Sequence, residues 1–83
     1  MSNVLIKLTD HAKLKMKQRN IKLAEIRKVI SNPENREADK FDKDLMHYIG
    51  KVRGKHLRVI VKQADKDEFI VISAFFDRRI KQE

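Results

Sequence analysis

The sequence predicts an α+β domain in which a helix pair packs on one face of a mostly antiparallel, four- to five-stranded twisted sheet, in the order β-α-α-β-β-β-β. Three observations carry this reading. Between positions 9 and 32, capped helix-forming residues are followed by an apolar stripe at helical spacing. After residue 35 the apolar residues fall into short β-rich runs separated by turn signals. The length of 83 residues sets one domain, 1–83, because a chain of that size buries only about 60–65% of its unfolded surface and supports one modest core.

Val4–Leu8 (VLIKL) is a short β-rich run. Thr9 or Asp10 then offers a side-chain oxygen to cap a helix start. In the segment that follows, Ala12, Leu14 and Met16 alternate as they would in a strand. However, Ala, Lys, Leu, Met, Gln and Arg are strong helix formers, and no β-branched residue lies between Thr9 and Ile21. Composition and cap outweigh three alternating residues, and the segment is predicted helical. At 100° per residue Ala12, Met16 and Arg19 share one face, which turns a cation toward the core. Leu23, Ile26 and Ile30, with Val29 beside them, make a second, amphipathic helix that Ser31-Asn32-Pro33 stops.

Arg36–Phe41 is a weak, charged strand suited to a sheet edge. Leu45–Val52 (LMHYIGKV) and Leu57–Lys62 (LRVIVK) flank Arg53-Gly54, a tight turn between antiparallel strands. Gln63–Glu68 is a second turn. Phe69–Phe76 (FIVISAFF) is apolar on both faces and is expected to be a central strand covered from both sides. Residues 76–83 form a short basic tail.

The absence of cysteine excludes disulfides, thiolate metal sites and thiol catalysis. The longest apolar run, residues 69–76, is far below the roughly 20 residues a spanning helix needs, and MSNVLIKLTD lacks the layout of a signal peptide. The expectation is a cytoplasmic protein without membrane contact. The net charge of +8 is concentrated: residues 7–28 carry eight basic and two acidic side chains, and residues 51–62 carry five basic and none acidic. Two such blocks are the footprint of a polyanion binder; the alternative is a lysine-rich solvated surface.

The run T-D-H-A-x-x-x-M-x-x-R-x-I at 9–21, Glu25-Ile26, the Asn32-Pro33 stop, Tyr48-Ile49-Gly50, the L-R-V-I-V strand and Ser73-Ala74-Phe75 carry a resemblance. Together they resemble a family of small uncharacterised bacterial, archaeal and phage domains, domain-of-unknown-function family 4258. That family is similar to the RelE and BrnT type of ribonuclease toxin. The resemblance spans residues 8–76 and implies a RelE-like fold, RNA held on the sheet face away from the helices, and an acidic antitoxin protein as partner. Lys22 departs from the pattern, standing where the family usually has a Ser or Thr helix cap.

RNA is cleaved without metal when its 2′-hydroxyl attacks the adjacent phosphate, given a base, an acid and cations around the transition state. His11, in the first turn of the first helix, is the candidate acid or base; alternatively it satisfies a polar group. Arg19 either ties carbonyls or an acid such as Glu25, or forks onto a phosphate. Alternation places Arg58 and Lys62 together on the sheet face away from the helices, as candidate phosphate-holding cations or as an ordinary solvated face. His47 reads as a packing residue and His56 as an exposed phosphate contact. Lys13, Lys17, Lys51, Arg53, Lys55, His56, Arg78 and Arg79 complete the candidate nucleic-acid surface. No metal site and no cofactor are expected. Asp39, Asp42 and Asp44 are close enough to consider for Mg²⁺, but chance accounts for them in so charged a chain. With few aromatics, base stacking is not expected to be the main binding mode. Three functions remain: a toxin-like, metal-independent endoribonuclease acting on free or ribosome-associated RNA; a non-catalytic RNA- or DNA-binding module; and an interaction protein whose charge serves solubility.

Overall fold

The computed structural model describes residues 4–78. The elements are β1 (Leu5–Leu8), α1 (Asp10–Arg19), α2 (Leu23–Ser31), β2 (Asn35–Ala38), β3 (Leu45–Val52), β4 (Lys55–Asp65) and β5 (Glu68–Phe76). They form two helices and a five-stranded mixed sheet of order β1-β5-β4-β3-β2. β1 runs parallel to β5 and the other three pairings are antiparallel. Because β1 and β2 are the two edges, the helix pair between them crosses the whole sheet, with α1 over β5 and α2 over β3 and β4.

Helix wins over strand at residues 10–19, and Leu14, the middle of the alternating trio, is exposed while Ala12 and Met16 are buried. Thr9 starts the helix: its Oγ1 accepts from the Ala12 N–H at 3.0 Å and donates to the Val71 carbonyl at 3.1 Å. Asn20 ends it in the left-handed conformation (φ 55°), which Asn tolerates better than most residues. At the start of α2, the backbone N–H of Lys22 donates to Glu25 Oε1 at 2.9 Å. The Lys22 ammonium can only donate, so the reciprocal half of a capping box does not form.

Ile26, Val29 and Ile30 of α2 and Ala12 and Met16 of α1 share one core with Tyr48, Leu57, Val59, Val61, Val71 and Ala74. α2 approaches β3 so closely that a Cβ on Gly50 would lie 3.1 Å from Val29 Cγ2. The alternation in β4 therefore sends Leu57, Val59 and Val61 into the helices, and Arg58, Ile60 and Lys62 to the opposite face.

That opposite face corrects the expectation for the last strand. The helices lie on one side of β5 only; Val71 and Ala74 are fully buried, while Ile70, Ser73 and Phe75 are half-buried. A register shift between Ile60 and Val61 places Val61 against Val71 and Ile60 against Ser73, leaving Ile72 as an extra residue in β5. The two-sided apolarity of FIVISAFF thus reflects a bulge and partial cover rather than burial on both faces. The edge strand β2 begins and ends earlier than its composition suggests, and all four of its residues are exposed.

Candidate functional site

Cations gather at one end of the sheet. The two residues of the β3–β4 turn, Arg53 (φ 54°) and Gly54 (φ 75°), both have positive φ, as a two-residue hairpin of the right twist requires. Asn or Gly is the unstrained choice at the first position; Arg there costs about 1 kcal/mol or more. Its side chain is held firmly in return. Nη2 donates to the Asn20 carbonyl at 2.9 Å, Nε pairs with Glu25 Oε2 at 2.8 Å, and the guanidinium lies 5.3 Å from the centroid of the Phe76 ring. Lys55 Nζ lies 5.4 Å from the same ring.

Arg19 arrives from the helix side. β1 pairs with β5 only as far as Val71, so the outer edge of β5 beyond it has no strand partner from β1. Arg19 Nη1 donates to the Ala74 carbonyl on that edge at 2.8 Å, and its guanidinium stands 6.0 Å from the Phe75 ring. The cation that the helical face turned inward is thus a tie between α1 and the sheet, made to a strand carbonyl, while Glu25 belongs to Arg53. Arg78 follows the end of β5. Arg19, Arg53, Lys55 and Arg78 line a groove of about 470 Å³ together with Phe75 and Phe76. Among the described residues, Glu25 is the carboxylate paired with this group, so the described lining carries a surplus of positive charge.

A second constellation lies on the open sheet face. Arg58 is only 7% exposed. Its Nε pairs with Asp77 Oδ2 at 2.8 Å, and its Nη1 reaches Glu37 Oε1 at 3.2 Å and His47 Nδ1 at 2.9 Å. Arginine only donates, so Nδ1 accepts; Nε2 then carries the ring proton and donates to Asp39 Oδ1 at 2.7 Å. The hydrogen bond from His47, reinforced by the backbone N–H groups of Phe41 and Asp42, holds the Asp39 carboxyl below the usual carboxylate range. Asp39 thereby orders the β2–β3 loop, in which Asp42 also accepts from the Asp44 N–H. These acids are loop ties. A groove of about 550 Å³ opens beside the network.

Chemically the two constellations differ. Arg58 is paired directly with Asp77 and Glu37 and linked through His47 to Asp39, so its charge is balanced within the network. Both nitrogens of His47 are engaged, which leaves the ring no free lone pair for proton transfer in this arrangement. The basic end has the opposite character, with cations in surplus and two aromatic rings.

The structure does not gather the predicted quartet of His11, Arg19, Arg58 and Lys62. His11 is exposed on α1 and lines neither groove. Arg58 faces away from the helices, and Lys62 lies exposed on the same face, four residues along β4. Lys13 and Lys17 are exposed on α1, and Lys51 is exposed on β3 opposite His56. His56, expected at the surface, is half-buried: its Nε2 lies 3.7 Å from Glu34, and its Nδ1 is buried without a hydrogen-bond partner. Arg53, Lys55 and Arg78 meet at the basic end, and Arg79 lies outside the described residues.

Sequence reasoning did not find the Asp39–His47–Arg58–Asp77 network or the role of Phe75 and Phe76. One signal was available for the first: an arginine between Leu57 and Val59, inside an apolar strand, needs acidic partners if it is buried.

No helix among the described residues is long and apolar enough to cross a membrane. Comparisons with curated proteins and with solved structures return no match. Residues 8–76 match the family described as Domain of unknown function (DUF4258), and the chain belongs to that family.

Proposed function

We propose that this chain is a nucleic-acid-binding module that contacts phosphates with its basic end, with RNA as the first candidate ligand. The observation that carries the proposal is the convergence of Arg19, Arg53, Lys55 and Arg78 on one groove. They come from α1, the hairpin turn, β4 and the end of β5. Solubility alone requires no such convergence, and a continuous basic surface is what a phosphate binder needs. The test is filter binding of RNA and DNA oligonucleotides at roughly 50 and 200 mM salt. Three to four phosphate contacts give a log–log salt slope of about −2 to −4. Retention of no nucleic acid at the lower salt contradicts the proposal.

The ribonuclease reading is second. Its supports are the arginines available to stabilise a pentavalent phosphate and the resemblance to RelE and BrnT type toxins, which also brings the acidic antitoxin partner. Among the described residues, the lining of the basic groove holds no histidine or carboxylate to move a proton. RNA cleavage that persists in EDTA and is lost with Arg19→Gln, in a variant shown by a thermal melt to remain folded, supports this reading; intact RNA after prolonged incubation leaves binding alone.

A further inference from the structure

Resting on the binding reading above, we propose that the basic groove is selective for single-stranded nucleic acid and seats an unpaired base among Phe75, Phe76 and the guanidinium planes of Arg19 and Arg53. Three features lead there. The first is the company the cations keep. Phosphate docking alone needs charge, yet here the Phe76 ring lies under Arg53 and Lys55 at 5.3 and 5.4 Å, and Phe75 lies 6.0 Å from Arg19. Both rings are half-buried at the end of β5, where the sheet runs out into the groove.

The second feature is shape. A duplex presents its phosphates on a convex surface and keeps its bases paired inside. The groove between the hairpin tip and the end of β5 is concave, at about 470 Å³, within the range of sites that take a small molecule. A splayed nucleotide enters it and a paired base does not.

The third is rigidity. Arg19 is fixed by the Ala74 carbonyl, and Arg53 by Glu25 and the Asn20 carbonyl. Both planar groups are therefore pre-set as stacking surfaces, a role that arginine and aromatic side chains share in single-strand recognition. Lys55 and Arg78, both exposed, are left for the flanking phosphates. Few aromatics in the sequence pointed away from stacking; Phe75 and Phe76 leave β5 on opposite faces, opposite Arg58 and Leu57 respectively, and one exposed ring face suffices for a single base.

The experiment is fluorescence anisotropy at constant low salt with four probes: a 12-nucleotide single-stranded RNA, the DNA of the same sequence, the corresponding duplex, and a single strand of equal length whose bases are replaced by abasic sites. The single strands are expected to bind about ten-fold or more tightly than the abasic chain, the size of effect that one stacked base gives, and more tightly than the duplex. The RNA and DNA arms separate the two sources of the same chemistry. Phe75→Leu, with folding checked by a thermal melt, is expected to bring single-strand affinity down to the abasic level at an unchanged salt slope. The abasic comparison needs no variant and stands if Phe75→Leu unfolds. Equal affinity for the abasic and normal strands, or duplex binding as tight as single-strand binding, overturns the proposal while leaving nucleic-acid binding intact. Failure of all four probes to bind removes the parent reading instead.

Discussion

Arg58 and Asp77 form a buried ion pair, Nε to Oδ2 at 2.8 Å, on the sheet face that the helices leave open. Asp77 is 5% exposed, and its backbone N–H is itself fixed to the His56 carbonyl at 2.9 Å. Glu37 and His47 complete the shell around the guanidinium. Removing the guanidinium breaks a buried, charged hydrogen bond and takes the shared donor away from Glu37 and His47.

Arg58→Ala is therefore expected to destabilise the domain by about 3–5 kcal/mol, a large share of the 5–15 kcal/mol available to a typical fold. A urea titration measures it. A change below about 1 kcal/mol contradicts the account of Arg58 as the centre of the open face. A loss of activity in this variant would report unfolding before it reported chemistry, so Lys62→Gln is the informative substitution for that face.

Acid should weaken the β2–β3 loop. Because the native Asp39 carboxyl titrates below its ordinary value, the stability it contributes is fully present above the unfolded pKa of about 3.9 and is lost as pH falls through the lower native value. Wild type and Asp39→Asn are expected to differ in melting temperature at pH 6 and to converge below about pH 4. A difference that stays constant across that window contradicts the linkage.

The tie from Arg19 to the Ala74 carbonyl predicts that Arg19→Leu lowers stability by about 1–3 kcal/mol, the range for a hydrogen bond to a charged group. The same variant should bind nucleic acid more weakly, since it removes a lining cation. A melt and a binding curve on one preparation separate the two effects. A variant unchanged in both would make Arg19 a surface residue.

Gly50 is where α2 and β3 come closest. Gly50→Val is expected to lower stability by about 1–3 kcal/mol through overpacking against Val29. Val29→Ala in the same chain should restore part of the loss, because it vacates the contacted volume. Failure of the second substitution to compensate would place the strain elsewhere.

Much of the fold was legible in the sequence because its signals are local. The cap at Thr9, the Ser31-Asn32-Pro33 stop and the Arg53-Gly54 turn each act over a few residues, and they place both helices and β3. β4 is longer at both ends than the expected Leu57–Lys62, running Lys55–Asp65, so that the second turn shrinks from Gln63–Glu68 to Lys66 and Asp67. The alternation of Leu57, Val59 and Val61 with Arg58 and Lys62 also assigned the two faces of β4. What could not be read depends on register. Glu37 meets Arg58 only because β2 pairs Glu37 with His47 and β3 pairs His47 with Ile60. Two independent strand pairings are involved, and no local pattern encodes either. The bulge at Ile72 likewise decides which faces Ala74 and Phe75 occupy. The basic groove assembles four cations from four segments. The charge blocks announced a polyanion surface, but only the folded chain brings Arg78 beside Lys55 and leaves His11 outside.

The central claim is that nucleic acid binds at the basic end rather than through the protein's charge in general. The most direct measurement compares salt-dependent binding of one single-stranded oligonucleotide to wild type, to Lys55→Gln/Arg78→Gln and to Lys7→Gln/Lys62→Gln. Both double variants carry the charge change on exposed side chains, and they have the same net charge. The account predicts that the Lys55/Arg78 variant loses affinity about ten-fold or more and that its log–log salt slope becomes shallower by about 1.4, two single-strand phosphate contacts. The Lys7/Lys62 variant should stay within about two-fold of wild type. Equal losses in the two variants would show that net charge alone drives binding, and the basic end would no longer be a site.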